Sequence, residues 1–353
     1  MSSKTVHLHI GRHKTGTSSI QATLAAHRDL LRSRDILYPA SLPVNHTRFF
    51  KDAFYPGPES LPYNRQNMTR AALRERAKND VAGIKEEVSA TNPETVVFSG
   101  EDACFLPPKG IRNLKAFTDD LFSSSFCNII VYVRHPVSRA LSGIQQNVRG
   151  DGLTFEDAKA RHLRGGGKRN AAIIEDYATV FGADAITVRS FEAALEETGD
   201  IVTDFCVTAG IDTAGITPIR QNDSIAAEIV HFLSWLYEGP RRSGEAPGQK
   251  LIKNRKTRVP ISAKERKLLF GLKGAKADFL TAEDIDTLWS VVEDDMAFLE
   301  EHYGIAYRKP DATPPAESQL FAPGFMEQLD AATLFLSSSL QEEMKRFLQS
   351  QSI

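Results

Sequence analysis

Cysteine is scarce: Cys104, Cys127 and Cys206 are the only three in 353 residues, and no two have a paired spacing. That excludes a zinc-ribbon or disulfide framework and points to buried thiols in a reducing compartment. No apolar run approaches the ~20 residues that a membrane-crossing helix needs. The first residues lack a basic start followed by an apolar stretch, so no secretory leader is expected. Without secretion, the sequons Asn45-His46-Thr47 and Asn67-Met68-Thr69 carry little weight. Charge of either sign is also missing in excess: 43 Lys and Arg against 45 Asp and Glu leave a net −2. Nothing global draws the chain to nucleic acid or lipid, so any anion binding has to be local. Internal repeats, low-complexity tracts and His/Cys metal spacings are absent too. What these absences leave is an ordinary globular composition, 41% hydrophobic and 25% charged, with the cytoplasm as the expected location.

The informative stretch comes first. In His7-Leu8-His9-Ile10-Gly11-Arg12-His13-Lys14-Thr15-Gly16-Thr17-Ser18-Ser19-Ile20, Val6, Leu8 and Ile10 alternate as in a half-buried strand. From Ser18 onward, Ile20, Leu24, Leu30 and Leu31 recur at helical spacing. A strand, a glycine-bearing turn and a helix N-terminus make an anion site, because unpaired N–H groups and the helix dipole both favour negative charge. Lys14 adds a full positive charge, and Thr15, Thr17, Ser18 and Ser19 add hydroxyls. The segment Arg12, His13, Lys14, Thr15, Gly16, Thr17 and Ser18 is the expected phosphate-binding loop. It is not the nucleoside-triphosphatase loop G-x-x-x-x-G-K-[ST], because Thr17 stands where that motif has lysine.

Farther along, Asp35–Pro39 reads as a short second strand and residues 41–66 as a long loop, in which His46, Arg48, Tyr63 and Arg65 are candidate acceptor contacts. Residues 69–90 read as a helix with an apolar stripe of Ala72, Ala77, Val81, Ile84 and Val88. Thr95–Ser99 reads as a strand whose run Thr95–Phe98 is β-branched and aromatic throughout, as in a strand buried on both faces of a parallel sheet. Glu101 and Asp102 stand just past its carboxyl end, the edge at which ligands bind in open α/β sheets, and are the candidate general base. A helix around 114–122 and a strand at 128–133 follow. The strand ends in Arg134-His135-Pro136-Val137-Ser138-Arg139-Ala140-Leu141-Ser142, which opens another helix. The turn offers a guanidinium fork suited to phosphate oxygens.

The Lys14–Ser19 loop resembles the 5′-phosphosulfate loop of sulfotransferases that use 3′-phosphoadenosine 5′-phosphosulfate (PAPS). The R-x-P-x-x-R-x-x-S pattern resembles the same family's 3′-phosphate motif. The resemblance spans about residues 5–215, including the helix and strand between Tyr177 and Glu192. It implies a parallel β-sheet flanked by helices, with Arg134 and Ser142 gripping the 3′-phosphate. It also implies sulfuryl transfer from PAPS to a hydroxyl or amine, with no metal. Cytosolic members place a His after the strand that here ends at Ser99, and several glycan-modifying members a Glu. Glu101 is thus the expected base, Asp102 the alternate and His46 an outsider, with an oligosaccharide or polysaccharide the expected acceptor. Ile144 stands where many members have an aromatic residue.

Residues 150–167 read as a polar loop, 170–181 as a helix, 185–192 as a strand and 201–209 and 224–238 as helices. Residues 241–258 are strongly basic, and Lys253, Arg255 and Arg258 are candidates for the cofactor's 3′-phosphate or for an anionic acceptor. After a helix over 280–303, residues 309–320 read as a Pro-rich linker and 321–353 as a helical extension that could mediate a homodimer. The α/β domain is expected over 1–308. Two other functions share these motifs: a P-loop kinase using ATP and Mg²⁺, and a non-catalytic 3′-phosphoadenosine nucleotide-binding protein.

Overall fold

The structure is a computed structural model that describes residues 4–61, 68–122, 125–164, 168–221, 224–242, 259–276, 278–310 and 320–351. Its centre is a five-stranded, all-parallel sheet flanked by helices, with strand order β2-β3-β1-β4-β5. The elements are β1 (Lys4–His9), α1 (Thr17–Ala26), α2 (Arg28–Arg32), β2 (Ile36–Leu37), α3 (Thr47–Phe54), α4 (Arg70–Thr91) and β3 (Thr95–Ser99). Then come α5 (Pro108–Leu121), β4 (Ser125–Val133), α6 (Pro136–Gln146), α7 (Phe155–Leu163), α8 (Asn170–Phe181), β5 (Ile186–Ser190), α9 (Phe191–Thr198) and α10 (Ile201–Thr208). The chain continues through α11 (Ala227–Arg242), α12 (Ala263–Phe270), α13 (Ala282–Tyr303), α14 (Pro323–Thr333) and α15 (Ser338–Ser350).

Two units can be separated. The first comprises residues 1–135, 168–222 and 294–307 and holds the whole sheet; the second comprises 136–167, 223–293 and 308–353 and is helical. In the first, β1 lies between β3 and β4, with His9 in register with Ser99 and Ile130. The chain thus leaves β1 for β2 and then β3 on one side and reaches β4 on the other, which makes the carboxyl end of β1 the switch point of the sheet. In the second unit, α11 and α15 pack through Phe232, Trp235 and Phe347. Glu265 closes a capping box with Ser262 and also accepts the Ser337 N–H at 2.8 Å, tying α12 to the start of α15.

The sheet's central position changes the reading of β1. It is buried on both faces rather than one: Val6 and Leu8 are fully covered on one side, and on the other His9 is fully covered and His7 is buried. Desolvation holds both imidazoles neutral, pulling His7 down to about 4 and His9 to about 3. The region 41–66 is likewise not all loop. Phe49, Phe50 and Phe54 recur at helical spacing in α3 and pack with Phe98 and Phe117 at ring separations of 5.2–6.2 Å. Each such buried ring contributes about 1.5–3 kcal/mol. The buried stripe of α4 is Leu73, Ala77, Asp80, Ile84 and Val88; Ala72 is exposed. Asp80 belongs there because it accepts from Arg48 at 3.0 Å. The first helical stretch breaks at His27, so Leu30 and Leu31 belong to α2. Helix α7 occupies part of the expected 150–167 loop, α9 follows β5 directly, and α12 is a helix beyond those expected from the sequence. Residues 311–319 of the expected linker fall outside the described residues.

Candidate active site

The β1–α1 loop turns on two left-handed residues, Lys14 (φ 73°) and Gly16 (φ 76°). A Cβ on Gly16 would lie 2.7 Å from Ile201 of α10, and one on Gly11 would lie 2.5 Å from Thr17 Oγ1. Both glycines are therefore required for the loop to pass so close to its own helix and to α10. Lys14 has no such steric excuse. A non-glycine residue held in this region is strained, and such strain gathers at ligand sites. Helix α1 begins at Gly16 with no side-chain cap and no acidic residue in its first turn, which leaves its amide donors and dipole available to an anion.

Beside the neutral His9 Nε2, three buried donors around this loop lack a hydrogen-bond partner among the described residues: Arg12 Nη1, Thr17 Oγ1 and Arg134 Nε, the last in an ion pair with Glu192 at 3.8 Å. Buried donors are rarely left this way. All three have the chemistry to bind phosphate or sulfonate oxygens. Thr15 differs, because its hydroxyl is turned inward and donates to the Arg12 carbonyl at 2.7 Å, so only its backbone remains for a ligand. Ser19 is also engaged, accepting from the Gln221 N–H at 3.0 Å.

Arg134, at the end of β4, donates from Nη1 to the Lys14 carbonyl at 2.6 Å. Its guanidinium stacks on Phe191 at 4.7 Å and lies 3.8 Å from Glu192. Glu192 in turn accepts from the His135 N–H at 3.2 Å and from the Tyr307 hydroxyl at 3.0 Å. Phe191, Glu192 and Tyr307 are site-building residues that the spacing of the motifs did not reveal. Only the adjacency of Phe191 and Glu192 to the carboxyl end of β5 could have singled them out. Ser142 belongs to α6, in the second unit, and is half-buried.

On the other side of the loop, His13 lies between the two candidate bases, with Nδ1 3.3 Å from Glu101 and Nε2 3.2 Å from Asp102. These hydrogen bonds, first to Asp102 and then to Glu101, raise the imidazole to about 9, so it is a cation at neutral pH. Burial works to raise the Asp102 carboxyl. His13 and a salt bridge from Lys51 outweigh it and bring the group down to about 2. Asp102 is thus doubly bound, while Glu101 has His13 alone among these cations. His46 is fully buried: its Nδ1 accepts the Ser99 N–H at 3.2 Å, it stacks on Tyr38 at 4.5 Å, and desolvation lowers it to about 3. Arg48 pairs with Asp80 and Asp52. Tyr63, Arg65, Lys253, Arg255 and Arg258 lie outside the described residues. Among the described residues no group of three or more His, Cys, Asp or Glu side chains is placed to hold a metal ion. No helix among them is long and apolar enough to cross a membrane.

No family model matches this chain, and no curated protein does. Among solved structures the chain is similar to a sulfotransferase from Alicyclobacillus acidocaldarius, with TM-score 0.38 and 20% identity over 62% of this chain and 85% of that one. It is also similar to the sulfotransferase domain from the curacin biosynthetic pathway, with TM-score 0.34 and 12% identity over 72% of this chain and 94% of that one. At these scores and identities the likenesses say nothing of what this chain binds or transfers.

Proposed function

We propose that the protein is a sulfotransferase that moves a sulfuryl group from PAPS to a hydroxyl or amine of an acceptor, with a glycan as the leading acceptor class. The observation that supports this is the 2.6 Å hydrogen bond from Arg134 to the Lys14 carbonyl, which sets the end of β4 against the β1–α1 loop, the two segments that resemble the family's phosphate motifs. The unfilled donors of Arg12 and Thr17 fit an anion-rich ligand. PAPS supplies the activated sulfuryl group; all else in the scheme is the work of this chain.

Lys14, the hydroxyls of Thr17 and Ser18 and the amides from Lys14 to Ser18 hold the 5′-phosphosulfate and stabilise the charge that develops on the leaving phosphate. Arg134 binds the 3′-phosphate, backed by Phe191 and Glu192. Ser142 rests on the family resemblance alone, as do Lys253, Arg255 and Arg258. Glu101 takes the acceptor proton as the new S–O bond forms and the S–O bond to the phosphate breaks. The products are a sulfated acceptor and 3′-phosphoadenosine 5′-phosphate. Asp102 suits this role less, since two cations hold it ionised and draw on its lone pairs. In-line positioning supplies much of the rate, as in phosphoryl transfer.

A panel of glycans incubated with sulfur-labelled PAPS and no added metal tests the proposal. Transfer is expected, with Glu101→Gln lowering turnover by about 10²–10⁴-fold while nucleotide affinity holds. Transfer by that variant at the wild-type rate would remove Glu101 from the role.

A further inference from the structure

Arg134 is held by more of the protein than charge neutralisation requires. Nη1 donates to the Lys14 carbonyl at 2.6 Å, the guanidinium lies over the Phe191 ring at 4.7 Å, and Nε faces Glu192 at 3.8 Å. An arginine side chain ordinarily has many rotamers, and its planar fork reads a partner's position only when the plane is fixed. Here it is fixed at both ends and on one face, and Nη2 with the second proton of Nη1 is left to a ligand.

Glu192 is fixed in turn. The His135 N–H is shared between its two oxygens at 3.2 Å each, and Oε2 accepts from the Tyr307 hydroxyl at 3.0 Å. The buried Tyr307 hydroxyl also lies 3.1 Å from the Val133 carbonyl and 3.0 Å from Ser190 Oγ. The carbonyl and the carboxylate can only accept, the phenol has one proton, and the charged acceptor makes the stronger bond. That proton therefore goes to Glu192. Ser190 Oγ accepts the Ala193 N–H at 3.2 Å, which leaves its own proton for the phenol oxygen. Burial first, and then the charge of Glu192, raise the phenol above its ordinary range, so the donor persists at neutral pH. Val133 and Ser190 are in register at the ends of β4 and β5. Arg134 and Phe191 are the next residue along each strand. One buried hydroxyl thus sits where both strands give way to the residues that hold the guanidinium, all within the first unit.

We infer that Tyr307, acting through Glu192, is the positioning residue that lets Arg134 read where on the ribose the second phosphate stands, so that the site takes a 3′-phosphorylated nucleotide and rejects its 2′ isomer. The inference rests on the sulfotransferase proposal and adds positional selectivity to it. A guanidinium able to swing would follow the charge to either ribose oxygen. One held at both ends and on a face loses its bonds when the phosphate moves, and donors left unpaired make the wrong isomer costly. Glu192 adds a repulsive element, since it turns away a phosphate that approaches from the Nε side.

The test is calorimetric titration of the full chain with 3′-phosphoadenosine 5′-phosphate, 2′-phosphoadenosine 5′-phosphate and 5′-AMP. The two bisphosphates carry the same charge, so the ratio of their affinities reports position alone. The wild type is expected to bind the 3′ isomer about tenfold tighter or more. Tyr307→Phe keeps the ring and its edge contact with His135 at 5.4 Å, and is expected to reduce that ratio to about threefold or less. In Arg134→Ala the ratio is expected to vanish, and Tyr307→Phe to change nothing further in that background. If Tyr307→Phe fails to fold, Glu192→Gln serves: its amide oxygen still accepts from Tyr307, the charge facing Arg134 is gone, and the same fall in the ratio is expected. A ratio that survives in the variant, whether the affinities hold or all fall together as for a merely structural tyrosine, would overturn the inference. So would a Tyr307→Phe effect that persists without Arg134, or a wild type that binds both bisphosphates alike and each better than 5′-AMP. A wild type that binds no nucleotide, or binds 5′-AMP as well as the 3′ isomer, would instead contradict the sulfotransferase proposal, so the two failures are distinguishable.

Discussion

At the scale of single residues, the site is governed by how each charge is matched. His13 is half-exposed yet strongly basic because two carboxylates share it. Its pH signature follows. The folded imidazole titrates at about 9, above its ordinary 6.5, so the stability that pairing contributes is complete below about pH 6.5 and is lost as pH rises through about 9. Asp102, lowered to about 2, contributes above its ordinary 3.8 and loses that contribution only in strong acid. Thermal melts of the wild type against His13→Gln are therefore expected to differ at pH 6 and to converge above pH 9. A gap of the same size at pH 6 and pH 10 would contradict the charged pairing. The pairing of His13 with Glu101 and Asp102 was not readable from spacing, because the loop and the β3 tip are some ninety residues apart and meet only once β1 pairs with β3. What the sequence did carry was the pair of carboxylates at a strand's carboxyl end and the lysine inside the loop.

At the scale of elements, α1 is the part held most deliberately. The N–H groups of Thr217, Ile219 and Gln221 donate to His27 Nε2, Thr23 Oγ1 and Ser19 Oγ at 3.2, 2.9 and 3.0 Å. Alternate residues of the 217–221 segment thus meet every fourth residue of the helix. The match is metric, since four helical residues rise about 6.0 Å and two extended ones about 6.6 Å. Thr23→Val would leave the Ile219 N–H without its acceptor and is expected to cost about 1–3 kcal/mol in urea unfolding. An unchanged midpoint would deny the segment its anchoring role. At the helix start, Gly16→Ala meets both a left-handed backbone and the Ile201 side chain. It is expected to destabilise by about 1–3 kcal/mol and to weaken nucleotide binding. Wild-type affinity in that variant would mean that the turn's shape does not matter. The polar contacts of Ser19, Thr23 and His27 were invisible in the sequence because their partners lie almost two hundred residues away. The strands were visible because β3 and β4 are near-continuous apolar runs. Helix α3 was hidden by flanking Pro, Asn and Gly residues, although Phe49, Phe50 and Phe54 carried its period.

At the scale of the whole molecule, the parallel sheet sets the position of everything chemical. The carboxyl ends of β1, β3 and β4 deliver the loop, the carboxylates and Arg134 to one edge at the switch point. Alternation of strands and helices was enough to predict that architecture, since parallel strands require crossovers and helices readily fill them. It was not enough to predict that the first unit is assembled from three separate stretches of chain, with Tyr307 brought in from beyond α13 to support Glu192. That contact depends on long-range packing and has no local pattern.

In the proposed function, the edge formed by Lys14 and Arg134 binds a nucleotide through its 3′-phosphate. Calorimetric titration with 3′-phosphoadenosine 5′-phosphate, 5′-AMP and ATP, without added metal, tests it most directly on the wild type and Arg134→Ala. The expected result is clear preference for the 3′-phosphorylated nucleotide, lost in the variant as its affinity falls to that of 5′-AMP. Preference for ATP, or equal binding of the first two nucleotides by the wild type, would contradict it.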